Sequence, residues 1–421
     1  MPSKSKSAVC VQRFCLFCLL LIALCATPAR AQVVGEVLPP WTPGAMDIHQ
    51  ISTGRGNSAL FIFPDGTTML VDAGAQAGTS VRWVAPRPDD SRTPGEWIVR
   101  YVRQMLRHNS SPRLDYVLLT HFHSDHMGQV SESAKLSKSG QYKLTGVTEV
   151  GENIPIGKLM DRGWPDYQYP APLEDQMVKN YRTFVKWQSE QNGMHVERFK
   201  PGRDDQILLL RAPRQYLNFD ARNIMANGEV WTGVGTMTRQ HFPALKDVPL
   251  EDRPSENMCS AGLRLSYGKF DYFTGGDIPG IPYEGFPPWH DVETPVAQAV
   301  GPVEACLLNH HGYIDSQNAF FVGALRPRVW ILNVWESAHP TARVYGRLQS
   351  TRIYPGPRDI FATNMHDANR LVVVGLDKLA SARGHIVIRV APGGDTYRVV
   401  ILDDSAESYR VTAVHGPYES R

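Results

Sequence analysis

The sequence predicts an α/β sandwich, two mixed β-sheets packed together with helices on their outer faces. Three observations carry this. Residues 58–64 and 67–71 are strand-like and joined by Asp65-Gly66, a hairpin signal. Residues 114–120 (LDYVLLT) form a continuous apolar run, as expected of a strand covered on both faces. Later in the chain strands and helices alternate: strand 303–309, helix 317–325, strand 328–334, helix 341–348.

The remaining elements follow in chain order. Thr93-Pro94-Gly95-Glu96 is a capping box with Pro at the first helical position, opening a helix to about Arg107. Trp97, Ile98, Tyr101, Val102, Met105 and Leu106 fall on one face of it. Residues 176–191 read as a helix, and 206–211 and 229–234 as strands. Residues 261–267 alternate apolar and polar, then turn at Gly268-Lys269 into a strand at 270–274. Strands at 385–390 and 397–402 follow. Arg264 and Arg389 read as solvent faces of their strands. No Walker loop, dinucleotide fingerprint or GxSxG elbow is present.

The chain has 421 residues, 42% of them hydrophobic and 20% charged, with a formal charge of +2. That composition excludes a disordered or collagenous chain, and the single long apolar run excludes a polytopic membrane protein. The run lies in residues 1–31, which have the form of a secretory signal: basic Lys4, Lys6 and Arg13, an apolar stretch 14–26, and small residues at Ala29 and Ala31 before Gln32. It is shorter than the ~20 residues of a span, which weighs against an uncleaved anchor. Without these residues the chain loses Lys4, Lys6, Arg13 and Arg30 and no acidic residue. It then carries 40 basic against 42 acidic groups, a net of −2. Cys259 and Cys306 are the two cysteines left, read as buried thiols rather than a disulfide framework. The expectation is a periplasmic or secreted product with no stable membrane span after cleavage, residues 32–421 forming one catalytic domain.

The strongest chemical signal is Thr120-His-Phe-His-Ser-Asp-His-Met-Gly128. His121, His123, Asp125 and His126 follow a buried strand directly. In extended chain His121 and His123 point to one side, and the turn after them brings Asp125 and His126 round to face them. Neutral imidazoles with one carboxylate suit Zn²⁺ or another first-row divalent ion such as Mn²⁺.

This motif resembles the HxHxDH signature of the metallo-β-lactamase superfamily. Residues 54–74, ending Asp72-Ala73-Gly74, resemble that family's opening hairpin. Tyr272-Phe-Thr-Gly-Gly-Asp277 resembles the strand whose last Asp bridges two metals, and Leu307-Leu-Asn-His-His-Gly312 and Ala338-His-Pro340 follow in order. Within the superfamily the order is most similar to secreted domains related to the ComEC competence nuclease and to phosphorylcholine esterases. The resemblance covers about residues 46–391 apart from 152–240, which reads as an insertion; residues from about 355 to 421 read as a strand-rich completion.

The resemblance implies an αββα sandwich and two divalent ions, Zn²⁺ or Mn²⁺. His121 and His123 would hold the first ion, Asp125, His126 and His311 the second, and Asp277 both, with a bridging hydroxide as nucleophile. His310, with His339 as a second candidate, would assist catalysis from the substrate side; Tyr313 would contact substrate. Asp72 would orient a metal-bound His from behind. Many hydrolytic members carry a further His ligand; here that interval holds only His195 and His241, neither in the Gly-rich context of that motif, so the first site would be open on one side, more weakly bound, or completed by Asn257 or water. Asn57 stands where ComEC-type relatives have Asp.

The expected activity is that of a phosphoesterase, phosphodiesters preferred, on a small-molecule or cell-envelope substrate. The net charge of −2 offers no general attraction to nucleic acid. A lactone, β-lactam or other carboxylic ester or amide is the alternative substrate class, and a metal-stabilised binding protein without turnover the alternative function. Tyr and Trp in 164–169 read either as a cleft lining or as a cluster pinning a loop, and 286–290 as a wall of the same pocket.

Overall fold

The computed structural model describes residues 32–421; the signal-like segment 1–31 lies outside the described residues. The chain builds its sheets in three passes. β1 (Met46–Gln50), β2 (Ala59–Ile62), β3 (Thr68–Val71), β4 (Leu114–Leu119), β5 (Ile156–Asp161) and β6 (His195–Arg198) lie in the first sheet. β7 (Phe219–Ala226), β8 (Glu229–Trp231), β9 (Thr238–Gln240), β10 (Gly262–Tyr267), β11 (Phe270–Thr274), β12 (Ala305–Leu307), β13 (Val329–Leu332) and β14 (Asp359–Ala362) form the second. β15 (His385–Val390), β16 (Thr396–Leu402) and β17 (Val411–Glu419) then return to the first, where β15 pairs antiparallel with β1.

Helices cover both outer faces. α1 (Pro94–Met105), α2 (Ser124–Met127), α3 (Gly146–Asn153) and α4 (Gln176–Asn192) follow strands of the first sheet; α5 (Glu293–Val300), α6 (Ala319–Leu325), α7 (Ala342–Gln349) and α8 (Asp367–Val372) belong with the second. The Thr93 hydroxyl accepts from the Glu96 amide at 3.1 Å, so the cap read from the sequence opens α1.

Side-chain alternation explains the layering. Leu60, Ile62, Leu70, Leu114, Val117 and Leu119 pack outward against Ile98 and Val102 of α1, Val147 and Val150 of α3, and Tyr181 and Phe184 of α4. Their strand neighbours Phe61, Met69, Val71, Tyr116 and Leu118 point inward, against Leu263, Leu265, Tyr272 and Ile331 of the second sheet. Val296, Phe321, Val344 and Leu348 close the other outside face. The strand 114–119 therefore needs apolar residues on both faces, and full burial of each such side chain contributes about 1.5–3 kcal/mol. Three apolar interfaces hold four layers, an αββα sandwich.

Three local expectations are corrected. Residues 206–211 are not a strand: their backbone polar groups are taken by side chains instead. Leu208 N donates to the Tyr116 hydroxyl at 3.1 Å and Leu210 N to Thr67 Oγ1 at 2.8 Å. Arg389 is no solvent-facing residue, because it stands opposite Asp47 across the β1–β15 pair and binds its carboxylate at 2.6 and 2.8 Å. Arg264 keeps the outward, partly exposed position read for it, paired with Asp271 at 2.8 Å. Residues 152–240 are woven into both sheets, supplying β5 and β6 to one and β7, β8 and β9 to the other. Cys259 and Cys306 are buried and free, as read from the sequence, and burial pushes the Cys259 thiol up to about 12. Among the described residues no helix is long and apolar enough to cross a membrane.

Candidate metal centre

Parallel pairing decides where the chemistry collects. β3 runs parallel to β4, and β11, β12 and β13 run parallel to one another. Within each sheet the carboxyl ends of these strands therefore lie at one edge, and Asp72, His121, Asp277, His311 and Asn333 all follow such ends. Open α/β sheets commonly place ligand sites there.

Two groups of side chains converge. Asp125, His126, Asp277 and His311 form one; His121, His123 and Asp277 form the other. Asp277 is common to both. In the first, His126 Nε2 lies 3.2 Å from His311 Nε2 and 3.1 Å from Asp277 Oδ1, and His311 Nε2 lies 3.1 Å from Asp125 Oδ2. In the second, His121 Nε2 lies 3.2 Å from His123 Nδ1 and 3.7 Å from Asp277 Oδ2. Tetrahedral Zn²⁺ with ligand bonds of 2.0–2.1 Å sets its ligand atoms about 3.3 Å apart, so the spacing fits.

The proton inventory also fits a cation. Asp72 Oδ2 lies 2.7 Å from His126 Nδ1 and accepts its proton, which leaves Nε2 of the neutral ring as a bare lone pair among lone pairs. Burial works against charge on His126, but the Asp277, Asp72 and Asp125 carboxylates overcome it and hold its pKa well above the usual value. Asp277 and Asp125 are held below the usual carboxylate range: burial opposes this, and the histidines around them prevail. Burial pushes His121 well down. A field that retains an extra proton on His126 is one that draws a divalent cation to the same point.

Backbone shape serves the same convergence. Asp72, His310 and His311 have φ of 59°, 45° and 52°, the left-handed region that side chains rarely adopt. A Cβ on Gly74 would lie 1.9 Å from Asp125 O, so only glycine lets the opening hairpin close against the helix that carries Asp125 and His126.

The other candidate residues surround these groups. His310 turns away from the four-residue group: its Nδ1 lies 2.7 Å from Asp315 Oδ1 and its Nε2 3.2 Å from Asn257 Nδ2. Burial would lower its pKa, but Asp315 and Asp277 bring it up to about 9. Asn257 Oδ1 is buried without a partner. His339 stacks on His311 with ring centroids 4.8 Å apart, and its Nδ1 is also without a partner. Tyr313 lies 5.0 Å from the His310 ring.

Neither histidine considered for the first ion's third imidazole reaches the centre. His195 is exposed at the start of β6 and pairs with Glu197 at 2.8 Å; His241 Nε2 lies 2.9 Å from the carbonyls of Trp289 and Asp291. Tyr167 belongs to the core, its hydroxyl donating to Asp161 at 3.0 Å, whereas Tyr169 lines a separate groove with Arg198, Lys200 and Phe242. Trp289 and His290 pack on Phe242 and on the Asp252 carbonyl.

Three supports were not singled out from the sequence. Glu256, fixed by the fully buried Arg162, accepts from the Phe122 amide at 2.8 Å, between His121 and His123. Asp315 orients His310. Glu293 binds Asn309 Nδ2 at 2.7 Å, beside the His pair. The Phe122 and Asn309 partners of Glu256 and Glu293 lie well away in sequence, and the His310–Asp315 pair, five residues apart, follows no motif.

Residues 52–145 match the profile of the metallo-beta-lactamase superfamily. The αββα sandwich and the His/Asp groups at its strand ends accord with that match, which spans residues 52–145 alone. Solved structures it is similar to include a variant of the β-hydroxylase CmlA, at 13% identity over 83% of this chain and a TM-score of 0.37; this chain spans 54% of that one. Another is a metal-dependent hydrolase from Parabacteroides distasonis ATCC 8503, at 12% identity, covering 75% of this chain and 91% of the other, TM-score 0.33. A third is the short form of human tRNase Z, at 10% identity, 81% and 98% coverage, and TM-score 0.31. No curated protein matches.

Proposed function

We propose that the protein is an exported metal-dependent hydrolase that uses two divalent ions, Zn²⁺ or Mn²⁺, and acts on a phosphoester, preferentially a phosphodiester, as the ComEC-type and phosphorylcholine esterase-like branch does. The observation that carries the metal-dependent reading is the sharing of Asp277 by the two groups of ligands. When bound, two such ions supply Lewis acidity and a water nucleophile active near neutral pH.

The residues of the chain have the following work. His121, His123 and Asp277 would hold one ion; Asp125, His126, Asp277 and His311 would hold the other. Asp72 keeps the His126 ring in the tautomer that presents Nε2. His310, oriented by Asp315, has its other nitrogen 3.2 Å from Asn257 Nδ2; with Nδ1 bound to Asp315, a protonated Nε2 released from Asn257 would donate a hydrogen bond to charge that develops on substrate oxygen. His339 backs the His311 ring. The positions of His195 and His241 remove the feature that would favour a lactone or β-lactam substrate.

Turnover of bis-p-nitrophenyl phosphate by the metal-loaded protein, with Asp125→Ala and His311→Ala as controls and a lactone panel beside it, tests the reading. Phosphodiester cleavage lost in both variants supports it. Lactone cleavage without phosphodiester cleavage assigns the carboxylic-ester class, and metal binding without either turnover contradicts the enzyme.

A further inference from the structure

Glu293 opens α5 and is fully buried, yet it makes no contact with the clustered ligands. Its carboxylate instead gathers the chain on either side of them. Oε1 accepts from Asn309 Nδ2 at 2.7 Å and from the Gln317 amide at 2.7 Å; Oε2 accepts from the Asn318 amide at 2.6 Å. Between Asn309 and Asn318 lie His310, His311, Gly312 and Asp315. We propose that Glu293 is a positioning residue for the ion held through His311: one carboxylate clasps both ends of the loop that presents this ligand. The proposal rests on the metal-centre reading above.

The loop needs such a clasp. Its two histidines occupy left-handed backbone, a strained conformation that persists only where surrounding structure imposes it. Inside the loop the backbone bonds are those of tight turns, Tyr313 N to His310 O at 2.7 Å and Ser316 N to Tyr313 O at 3.1 Å, rather than a strand ladder. Orientation must therefore come from outside.

The neighbouring chain is shaped around the carboxylate. A Cβ on Gly280 would lie 2.0 Å from Glu293 Oε2, so glycine is what admits it. The amides of Gly280 and Ile281 both donate to the Asp315 carbonyl, at 2.7 and 2.9 Å, and Asn318 Nδ2 donates to Gly280 O at 3.0 Å. Three segments thus meet at one buried acid, and the one side chain that links it to the start of the His pair is Asn309.

A merely structural acid would lower stability and leave metal retention alone. The test is therefore release of metal from the holoprotein dialysed against graded chelator, counted per chain, with thermal unfolding measured alongside. Wild type should lose its ions in two steps. Glu293→Gln and, independently, Asn309→Ala, which keeps the Gln317 and Asn318 ties, should weaken one step by about 10–100-fold, as loss of a support behind a ligand does. The other step should stay within threefold. Gly280→Ala, which displaces the carboxylate, should reproduce the Glu293→Gln curve. Unchanged release in folded Glu293→Gln, or in Asn309→Ala should the first variant fail to fold, overturns the role, as does equal weakening of both steps. A wild type that retains no metal overturns the metal-centre reading and the role with it.

Discussion

Asp72 Oδ2 lies 2.7 Å from Nδ1 of His126, and the same carboxylate takes the Thr120 amide at 2.8 Å, the Thr120 hydroxyl at 2.9 Å and the Asn57 amide group at 3.0 Å. One acid at the end of β3 thus sets a ring nitrogen and the strand end that leads to His121. Asp72→Asn retains size but offers an NH₂ where an acceptor is required. It should reduce metal affinity by about 10–100-fold, read by competition with a chromophoric chelator. Unchanged affinity would remove Asp72 from the centre.

Asn57 explains its own identity. It donates to Asp72 and accepts from Gln50 Nε2 at 2.8 Å and Asn333 Nδ2 at 3.2 Å, tying the two sheets together beneath the centre. Asn57→Asp would set a second carboxylate against Asp72. The cost should be about 1–3 kcal/mol in urea unfolding at pH 7. Because burial and Asp72 raise the new carboxyl's folded pKa, the penalty should shrink at pH 5, where it binds a proton. Equal penalties at both values would contradict the arrangement.

Asp47 and Arg389 give a pH dependence away from the centre. Burial alone would raise the Asp47 pKa from 3.8, but Arg389 and His49 hold it well below the ordinary range. A carboxylate depressed in the folded state adds stability that is present above its unfolded value and lost as pH falls below it. Asp47→Asn should therefore cost about 3 kcal/mol at pH 7, since it strands a buried guanidinium. Its difference from wild type should narrow below about pH 4. A pH-independent difference would contradict the ion pair.

Legibility followed sequence distance. His121, His123, Asp125 and His126 could be read together because six positions hold them, and the apolar run before them announces a strand with both faces covered. Asp72, Asp277 and His311 could be read because each ends a strand. Glu256, Arg162 and Glu293 could not, since they act on main-chain atoms or through residues far along the chain; Asp315 lies only five residues beyond His310, but no motif marks it. Arg389 was misread for the same reason: its alternation pattern looks outward, but its partner Asp47 is supplied by β1, paired to it only in the fold. Residues 206–211 have strand-like alternation, yet Tyr116 and Thr67 side chains claim the amides a ladder would use.

The central claim is that Asp277 joins two metal sites in one chain. Metal per chain in the natively purified protein, measured by inductively coupled plasma mass spectrometry, tests it most directly. The account predicts two divalent ions per chain, with both occupancies reduced by Asp277→Ala and only one by His123→Ala. A single ion in wild type, or an Asp277→Ala protein that keeps two, would contradict it.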